Sequence, residues 1–279
     1  MNWKDLVRQF VPYGAAQYSV RRHEYMRLGI AASRAKWLAR SGSQYEDLCE
    51  TRLNLVPPSI LSNLKTCVDA GAHAGRWTGT LLNLFQPGHV IALECEPRLT
   101  NSLKAKFQRD HRVTVVDSAL AEGDGVAQFH QLRHPAGSSL LQPRADIVQE
   151  LQAGSWDVIG TVQVPKISYD RLTAGEEEIS ILKLDIQGAE MGVLRNSREG
   201  LRKTLCVIME VTFTPHYEND FGFPELHNEM ARHEFGLYRL SPPYHRQGRV
   251  LYSDAVYVRE HLLRSLTGNS VEVPAVAAA

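Results

Sequence analysis

The sequence predicts an α/β protein with a doubly wound, mostly parallel sheet. Residues 66–97 have the pattern of a strand, a glycine turn, a helix and a second strand, which is a βαβ unit. Further apolar runs at 113–116, 179–184 and 205–209 have the length and composition of buried parallel strands. In such a sheet the ligand lies outside the carboxyl ends of the strands.

The first unit carries the residues expected to face that ligand. Its first strand closes on Asp69, and Gly71 and Gly75 bracket a tight turn, where the missing Cβ lets the backbone approach a bound molecule. The second strand, at 90–93, ends on Glu94. An acid at this position can accept both hydroxyls of a ribose, so a nucleoside ligand is predicted.

The glycine turn departs from the dinucleotide fingerprint G-x-G-x-x-G. His73 and Arg76 occupy positions where that fingerprint has glycine, so the cradle for a pyrophosphate is incomplete. A nucleoside ligand without a diphosphate fits better, and S-adenosylmethionine (SAM) is the common one.

Composition narrows the class of protein. The chain has 279 residues, 43% of them apolar, and a formal net charge of zero. It can therefore build a sizeable core, and it lacks the basic excess of a protein that mainly holds nucleic acid. The four cysteines show no paired spacing, the start has no apolar signal region, and no run approaches membrane-spanning length. We expect a reduced, cytoplasmic protein.

Three regions are expected along the chain. Residues 1–63 form a helical extension, residues 64–262 form the α/β domain, and residues 263–279 form a flexible tail. Residues 1–40 contain eight Lys or Arg against two Asp or Glu. This basic extension has three functional interpretations: a lid over the substrate, a homodimer contact, or a surface that binds anionic lipid. A solvated helix face is the plainer interpretation.

An insertion follows the third strand. Alternating residues at 126–130 and 161–164 predict an added antiparallel hairpin, with a helical stretch around 145–152 between its strands. Because this insertion follows the ligand-binding strands, we expect it to form a substrate wall. The final two strands, at 237–240 and 249–259, are expected to be antiparallel.

Three segments together resemble one family. Residues 68–78, Val-Asp-Ala-Gly-Ala-His-Ala-Gly-Arg-Trp-Thr, resemble the first motif of the FkbM-type SAM-dependent methyltransferases, usually VDxGANxGxxT. Residues 183–190, Lys-Leu-Asp-Ile-Gln-Gly-Ala-Glu, resemble that family's K-x-D-x-E-G-A-E, and residues 137–140 resemble its G-x-S-S-L segment. Their order and spacing agree, so the resemblance covers roughly residues 64–259. It implies a Rossmann-like, seven-stranded methyltransferase sheet with an antiparallel terminal strand.

The resemblance and the spacing together imply a SAM site at the glycine turn, with S-adenosylhomocysteine as the product. The residues nominated for the cofactor are Asp69, Gly71, His73, Gly75, Thr78, Glu94, Asp117 and Ser118. Glu94 is expected at the ribose in preference to its neighbour Glu96, and Asp117 and Ser118 are expected beside the adenine. Ser138 and Ser139 are nominated for the substrate by the resemblance alone, because Gly-Ser-Ser is usually a loop.

Methyl transfer to a hydroxyl needs a group that removes the proton of the acceptor. Asp185, at the tip of the fourth core strand, is the first choice for base or acceptor-orienting residue, with His216 and Glu210 behind it. Capping of the following helix is the alternative role for Asp185. A divalent metal stays open but is not favoured, because Gln187 replaces the family's usual Glu and removes one anionic ligand.

The expected activity is SAM-dependent O-methylation of a hydroxyl on a sugar, glycan precursor or secondary metabolite. Its partner would be a small-molecule or glycan acceptor, with no nucleic acid. A nucleotide-dependent oxidoreductase on a Rossmann-like fold and a non-catalytic module that keeps the SAM fold are the alternatives. Binding of SAM compared with NAD separates the first two, and turnover of labelled SAM separates the third.

Overall fold

The computed structural model describes residues 52–146, 156–246 and 248–267 of the chain. Most of the expected helical extension, with its basic residues, lies outside these ranges. The same holds for most of the stretch expected to be helical at 145–152 and for residues 268–279 of the expected tail. Within the three described ranges, no helix combines the length and the apolar character needed to cross a membrane.

The described residues contain strands in two sheets. In chain order the strands are β1 (Thr66–Ala70), β2 (His89–Leu93), β3 (Val113–Val116), β4 (Ala119–Ala121), β5 (Gly125–Leu132), β6 (Val158–Ser168), β7 (Ile179–Leu184), β8 (Thr204–Thr212), β9 (Phe235–Leu240), β10 (Tyr244–Arg246) and β11 (Arg249–Arg259). The helices are α1 (Pro58–Leu61), α2 (Arg76–Leu84), α3 (Pro97–Phe107), α4 (Tyr169–Leu172), α5 (Glu190–Arg195), α6 (Arg198–Arg202), α7 (Phe223–Arg232) and α8 (Glu260–Thr267). A 3-10 turn spans Pro135–Gly137.

The main sheet has eight strands, in the order β10, β11, β8, β7, β1, β2 and β3, with β9 also paired to β11. Strands β8, β7, β1, β2 and β3 are parallel, and β11 runs antiparallel to β8, β9 and β10. The predicted doubly wound, Rossmann-like sheet is therefore confirmed. Its strand order reverses between β1 and β7, and this reversal is where ligands bind in open α/β sheets.

The eighth strand is the difference from the seven expected. Strand β10 follows Pro242 and Pro243 and pairs with the start of β11, where Tyr244 lies opposite Tyr252. A three-residue edge strand has too few alternating positions to stand out in a sequence.

The inserted hairpin is confirmed, because β5 and β6 pair antiparallel from Gly125 to Leu132. Strand β4 adds a parallel partner to β6, which makes a separate three-stranded sheet. The sequence did not predict β4, because the three residues Ala-Leu-Ala carry no periodicity. A bridge between His130 and Ser139 fixes the segment after β5 against this sheet.

The main sheet separates two apolar layers. Successive residues of β1 enter opposite layers, so Cys67 packs in the layer of Trp77 and Val68 in the layer of Leu182. Leu53 is fully buried in the layer of Trp77, although it precedes the domain boundary expected at residue 63. Helix α8 likewise continues past residue 262, where the tail was expected to begin.

Candidate active site

A cavity of about 430 Å³ opens at the carboxyl ends of the central parallel strands. It lies at the reversal of strand order, beside the inserted sheet. Seven of the nominated residues line it, namely Gly71, His73, Glu94, Ser118, Ser138, Asp185 and Glu210. The other nominated residues lie behind or away from its wall, namely Asp69, Gly75, Thr78, Asp117, Ser139 and His216.

Asp69 is fully buried below the cavity floor and supports the glycine turn. Its two carboxylate oxygens accept hydrogen bonds from Thr78 Oγ1 at 2.7 Å and from Lys183 Nζ at 2.9 Å. Lys183 Nζ also donates to the carbonyl of Gly71 at 3.1 Å. Burial alone would lower the pKa of Lys183, but the carboxylates of Asp69 and Asp185 outweigh it and raise that pKa.

The sequence analysis does not include Lys183 among the site residues, although Lys183 opens the motif at residues 183–190. A signal was available, because it is the one charged residue within the apolar run of β7. A buried lysine of this kind requires a carboxylate partner, and Asp69 lies directly opposite it in the register of β1 and β7.

Gly71 is required by the sheet itself. Its φ is +74°, and a Cβ there would collide with the backbone oxygen of Asp185. The glycine therefore allows the ends of β1 and β7 to approach each other, whereas the sequence suggested an approach to a ligand. Gly75, with φ +65°, precedes α2, and a Cβ there would collide with side chains of Leu103 and Phe107.

Glu94 places a carboxylate at the cavity at the end of β2. Its oxygens accept from the backbone N–H of His73 at 2.6 Å and of Glu96 at 2.8 Å. Burial raises the pKa of Glu94, and these hydrogen bonds lower it only in part. The geometry leaves lone pairs of the carboxylate available to a hydroxyl-bearing ligand.

Glu96 has a different environment from Glu94. Its carboxylate accepts from the Arg98 side chain at 2.6 and 2.8 Å and from Gln131 Nε2 at 2.6 Å, and it does not line the cavity. It also caps α3 through the backbone N–H of Arg98. Glu96 therefore connects α3 to the inserted sheet.

Asp117 and Ser118, which are both expected beside the adenine, lie in different environments. Ser118 lines the cavity, together with the apolar side chains of Leu120 and Phe129. Asp117 is exposed and pairs with Lys104, whose Nζ lies 2.9 Å from Asp117 Oδ2. This carboxylate therefore points away from the cavity wall.

Three carboxylates surround the guanidinium of Arg52, which lines the cavity. Arg52 Nη1 lies 2.6 Å from Asp185 Oδ2, its Nε lies 2.8 Å from Asp254 Oδ1, and its Nη2 lies 4.0 Å from Glu210 Oε2. The sequence could not identify Arg52, because it precedes Asp185 by 133 positions and belongs to no motif.

Two of the carboxylates around Arg52, those of Asp185 and Glu210, line the cavity, and their pKa values are shifted in opposite directions. Burial would raise the pKa of Asp185, but the charges of Arg52 and Lys183 lower it well below its usual range. Burial, reinforced by the charge of Asp185, raises the pKa of Glu210 well above its usual range. Asp185 is therefore the ionised member of the pair, and Glu210 favours its protonated form.

The two serines of the Gly-Ser-Ser segment hold the wall of the cavity in place through hydrogen bonds to neighbouring backbone. Ser138 Oγ accepts from the backbone N–H of Leu132 at 3.0 Å. Ser139 Oγ donates to the backbone carbonyl of Gln187 at 2.7 Å. Both bonds attach the segment to its neighbours, and Ser138 lines the cavity itself.

His216 is buried away from the cavity, in contact with Trp156 at a ring-centroid distance of 5.7 Å. Burial and the charge of Arg144 lower the pKa of His216 to about 4. The structure therefore does not bring it together with Asp185 and Glu210. Within the described ranges, no three His, Cys, Asp or Glu side chains are arranged to hold a metal ion.

A family model described as Methyltransferase FkbM domain matches residues 69–237. The chain belongs to this family. The resemblance identified from the three motifs is thereby confirmed. The matched range includes Asp69, Glu94, Asp185 and Glu210, but it begins after Arg52.

Three proteins that are similar to this FkbM-domain chain have low sequence identity to it. The 2-O-methyltransferase NoeI of Sinorhizobium fredii (strain NBRC 101917 / NGR234) is 23% identical over 158 residues, which are 54% of this chain and 65% of that protein. The match thus spans just under two thirds of that relative. The solved methyltransferase FkbM of Methylobacillus flagellatus KT aligns with a TM-score of 0.46 and 16% identity, over 70% of this chain and 43% of that one. Fibrillarin of Aeropyrum pernix, solved with bound SAM, aligns with a TM-score of 0.44 and 9% identity, over 75% and 73%.

Proposed function

We propose that the chain is a SAM-dependent O-methyltransferase that acts on a hydroxyl of a sugar, glycan precursor or secondary metabolite. The observation that carries the proposal is one cavity with two acids in different roles. Glu94 lies at the end of β2 beside the glycine turn, and ionised Asp185 lies at the end of β7. Membership of the FkbM family supports the methyltransferase class.

The residues present fit SAM. The cavity of about 430 Å³ has the size of a small-molecule site. Glu94 would accept the ribose hydroxyls, while Leu120, Phe129 and Ser118 would flank the base. The ionised carboxylate of Asp185, next to Lys183, would favour the positively charged methionine end of SAM. When bound, SAM supplies an electrophilic methyl carbon.

Asp185 would orient the acceptor and receive its proton. It is ionised, and one of its oxygens faces Arg52 while the other faces Gln187, which fixes the plane of the carboxylate. A carboxylate with a lowered pKa is a weak base, so it suits a hydroxyl whose proton becomes acidic as the oxygen is alkylated. Glu210 would hold its proton and donate a hydrogen bond.

An oxygen acceptor is supported by the relative NoeI, whose name describes a 2-O-methyltransferase. The cavity supports the same class, because an ionised carboxylate at the acceptor position suits a hydroxyl donor. The incomplete glycine fingerprint favours SAM over a dinucleotide.

Two measurements test the proposal. Isothermal titration calorimetry with SAM, S-adenosylhomocysteine and NAD should give binding of the first two and none of the third. Transfer of radiolabelled methyl from SAM should then be screened over a panel of hydroxylated sugars and small alcohols, with matched amines as the negative arm. Binding of NAD without SAM, or methylation of the amines alone, would overturn the assignment.

A further inference from the structure

Gln187 connects the acid at the tip of β7 with a buried tyrosine. Its Nε2 lies 2.9 Å from Asp185 Oδ1, and its Oε1 lies 3.0 Å from Tyr217 Oη. The same hydroxyl lies 2.8 Å from the backbone carbonyl oxygen of Gly137. A continuous line of polar atoms therefore runs from Asp185 to the wall segment that contains Ser138.

The position of Gln187 is held firmly. Its φ is +57°, in the left-handed region that residues other than glycine seldom occupy. Ser139 Oγ donates to its backbone carbonyl, and Tyr217 is only 3% exposed. Strained residues that the surroundings over-determine cluster at functional sites, and Gln187 lines the cavity.

The direction of each hydrogen bond along this line depends on how many protons its groups carry. Tyr217 has one hydroxyl proton but two acceptors within reach, Gln187 Oε1 and the Gly137 carbonyl. An ionised carboxylate can only accept, so with Asp185 ionised the Gln187 amide must turn its N–H towards Asp185. Its amide oxygen then faces Tyr217 and competes with the Gly137 carbonyl as acceptor of the single hydroxyl hydrogen bond.

A proton on Asp185 reverses this arrangement. The acid then donates to the amide oxygen of Gln187, which requires the amide to turn over and exchange the places of its oxygen and nitrogen. The amide N–H then donates to Tyr217 Oη, and Tyr217 donates to Gly137. Only the proton on Asp185 has been added, and every other donor keeps its own hydrogen.

We infer that Gln187 and Tyr217 are positioning residues that couple the charge of Asp185 to the hydrogen bonding of the Gly137 carbonyl in the cavity wall. The inference rests on the proposed function for one point, the acceptor hydroxyl as the source of the proton. Arg52, Lys183 and Glu210 lie near Asp185, and Glu210, Glu190 and Asp220 lie near Tyr217. These charges bias the balance between the two arrangements.

Asp185→Asn provides a neutral mimic of the protonated acid. Arg52 donates to the Oδ2 position at 2.6 Å, so the asparagine turns its carbonyl towards Arg52 and its N–H₂ towards Gln187. The probe is the carbonyl ¹³C resonance of Gly137, detected in protein labelled with ¹³C-glycine and ¹⁵N-serine through the Gly137–Ser138 peptide bond. Loss of the signal in Ser138→Ala assigns it.

Asp185→Asn should shift the Gly137 carbonyl signal, and the shift should disappear in a Tyr217→Phe background. Tyr169→Phe is the matched control, because it also removes a buried hydroxyl, one bonded to Thr204 at 2.8 Å at the other end of the sheet. The shift should persist in that background. Gln187→Leu interrupts the same line and substitutes for Tyr217→Phe if the latter does not fold.

An unmoved Gly137 signal in Asp185→Asn, or a shift that survives in both Tyr217→Phe and Gln187→Leu, would overturn the inference. The measurement uses neither SAM nor an acceptor. Failure of the coupling is therefore distinguishable from failure of the proposed function, which the calorimetry tests.

Discussion

Asp69 and Lys183 form a buried ion pair across the two central strands, with Lys183 Nζ 2.9 Å from Asp69 Oδ1. Lys183 also lies 3.5 Å from Asp185 Oδ2. One cation thus joins the acid beneath the glycine turn to the acid at the tip of β7. The nearly buried ammonium of Lys183 therefore connects the two halves of the cavity.

Replacement of Lys183 by Met should destabilise the protein strongly. It leaves the carboxylate of Asp69 buried with Thr78 as its remaining side-chain donor, and breaking a buried pair in this way costs about 3–5 kcal/mol. The free energy of unfolding in urea measures the loss. Lys166→Met, which breaks the half-exposed pair with Glu122, should cost less than about 1 kcal/mol. Equal losses in the two variants would contradict the assignment.

Glu94→Gln should weaken the binding of SAM. The neutral amide loses charge-assisted hydrogen bonding to the ribose, about 1.5–3 kcal/mol, which is roughly a tenfold to hundredfold rise in Kd. Calorimetry measures it directly. Glu96→Gln is the matched control, because Glu96 is bound to Arg98 and Gln131. It should alter the melting temperature while leaving SAM affinity nearly unchanged, and the opposite ranking would move the ribose contact to Glu96.

Asp185→Asn should abolish most methyl transfer and preserve cofactor binding. Loss of the proton acceptor should lower the transfer rate by about 10²–10⁴, whereas the Kd for SAM should change far less, because the contact proposed for Glu94 is kept. Single-turnover transfer from labelled SAM to an acceptor found in the screen provides the rate. Asp110→Asn, which removes a carboxylate bound to Arg112 on the surface, should retain the full rate. A variant at Asp185 that still turns over normally would exclude the proposed role.

Stability should fall as the pH rises through neutrality, with Glu190 as one cause. Burial raises the pKa of Glu190 to about 7. Because its folded pKa exceeds its unfolded one, the native state binds the extra proton. The stabilisation is complete below about pH 4.5 and is lost as pH rises through about 7, amounting to roughly 3 kcal/mol.

Glu190→Gln cannot lose this proton, and it can still accept from the backbone N–H of Ile186, which lies 3.0 Å from Glu190 Oε1. Its urea-unfolding free energy should therefore decline less than that of the wild type between about pH 5 and about pH 8. The difference between the two curves isolates Glu190 from Glu210 and Glu94, whose pKa values are also raised. Parallel curves would show that Glu190 does not contribute.

Gly71→Ala should disrupt the sheet at the cavity floor. The left-handed backbone and the collision with the Asp185 carbonyl should cost at least ~2 kcal/mol. Gly123→Ala is the control, because an added Cβ there meets no atom within 4 Å; it should change stability by less than about 0.5 kcal/mol. Thermal melts test whether Gly71→Ala lowers the melting temperature more than Gly123→Ala does.

The sequence carried the information for the βαβ unit and for the two acids at the cavity. Each depends on local order, since a strand, a turn and a terminal acid follow one another within a few residues, as at Glu94 and Asp185. The function of Gly71 was less accessible, because the atom it accommodates belongs to Asp185 on another strand. The same glycine is consistent with either cause when only the sequence is known.

The interactions that no sequence pattern revealed are those between distant segments. Arg52 joins the acidic cluster only after the chain has folded back on itself, and His216 packs against Trp156 outside the cavity. The short strands β4 and β10 form because longer neighbours present free edges to them.

The position of Arg52 has a practical consequence for anyone who shortens this chain. The matched family region starts at residue 69, and the expected domain boundary lay at 63. A fragment cut at residue 63 would contain the half of the cavity beside the glycine turn, whereas one cut at residue 69 would also lose Thr66 to Val68 of β1. Either fragment would lack the guanidinium that Asp185, Glu210 and Asp254 share, so an expressed fragment should begin well upstream of this arginine.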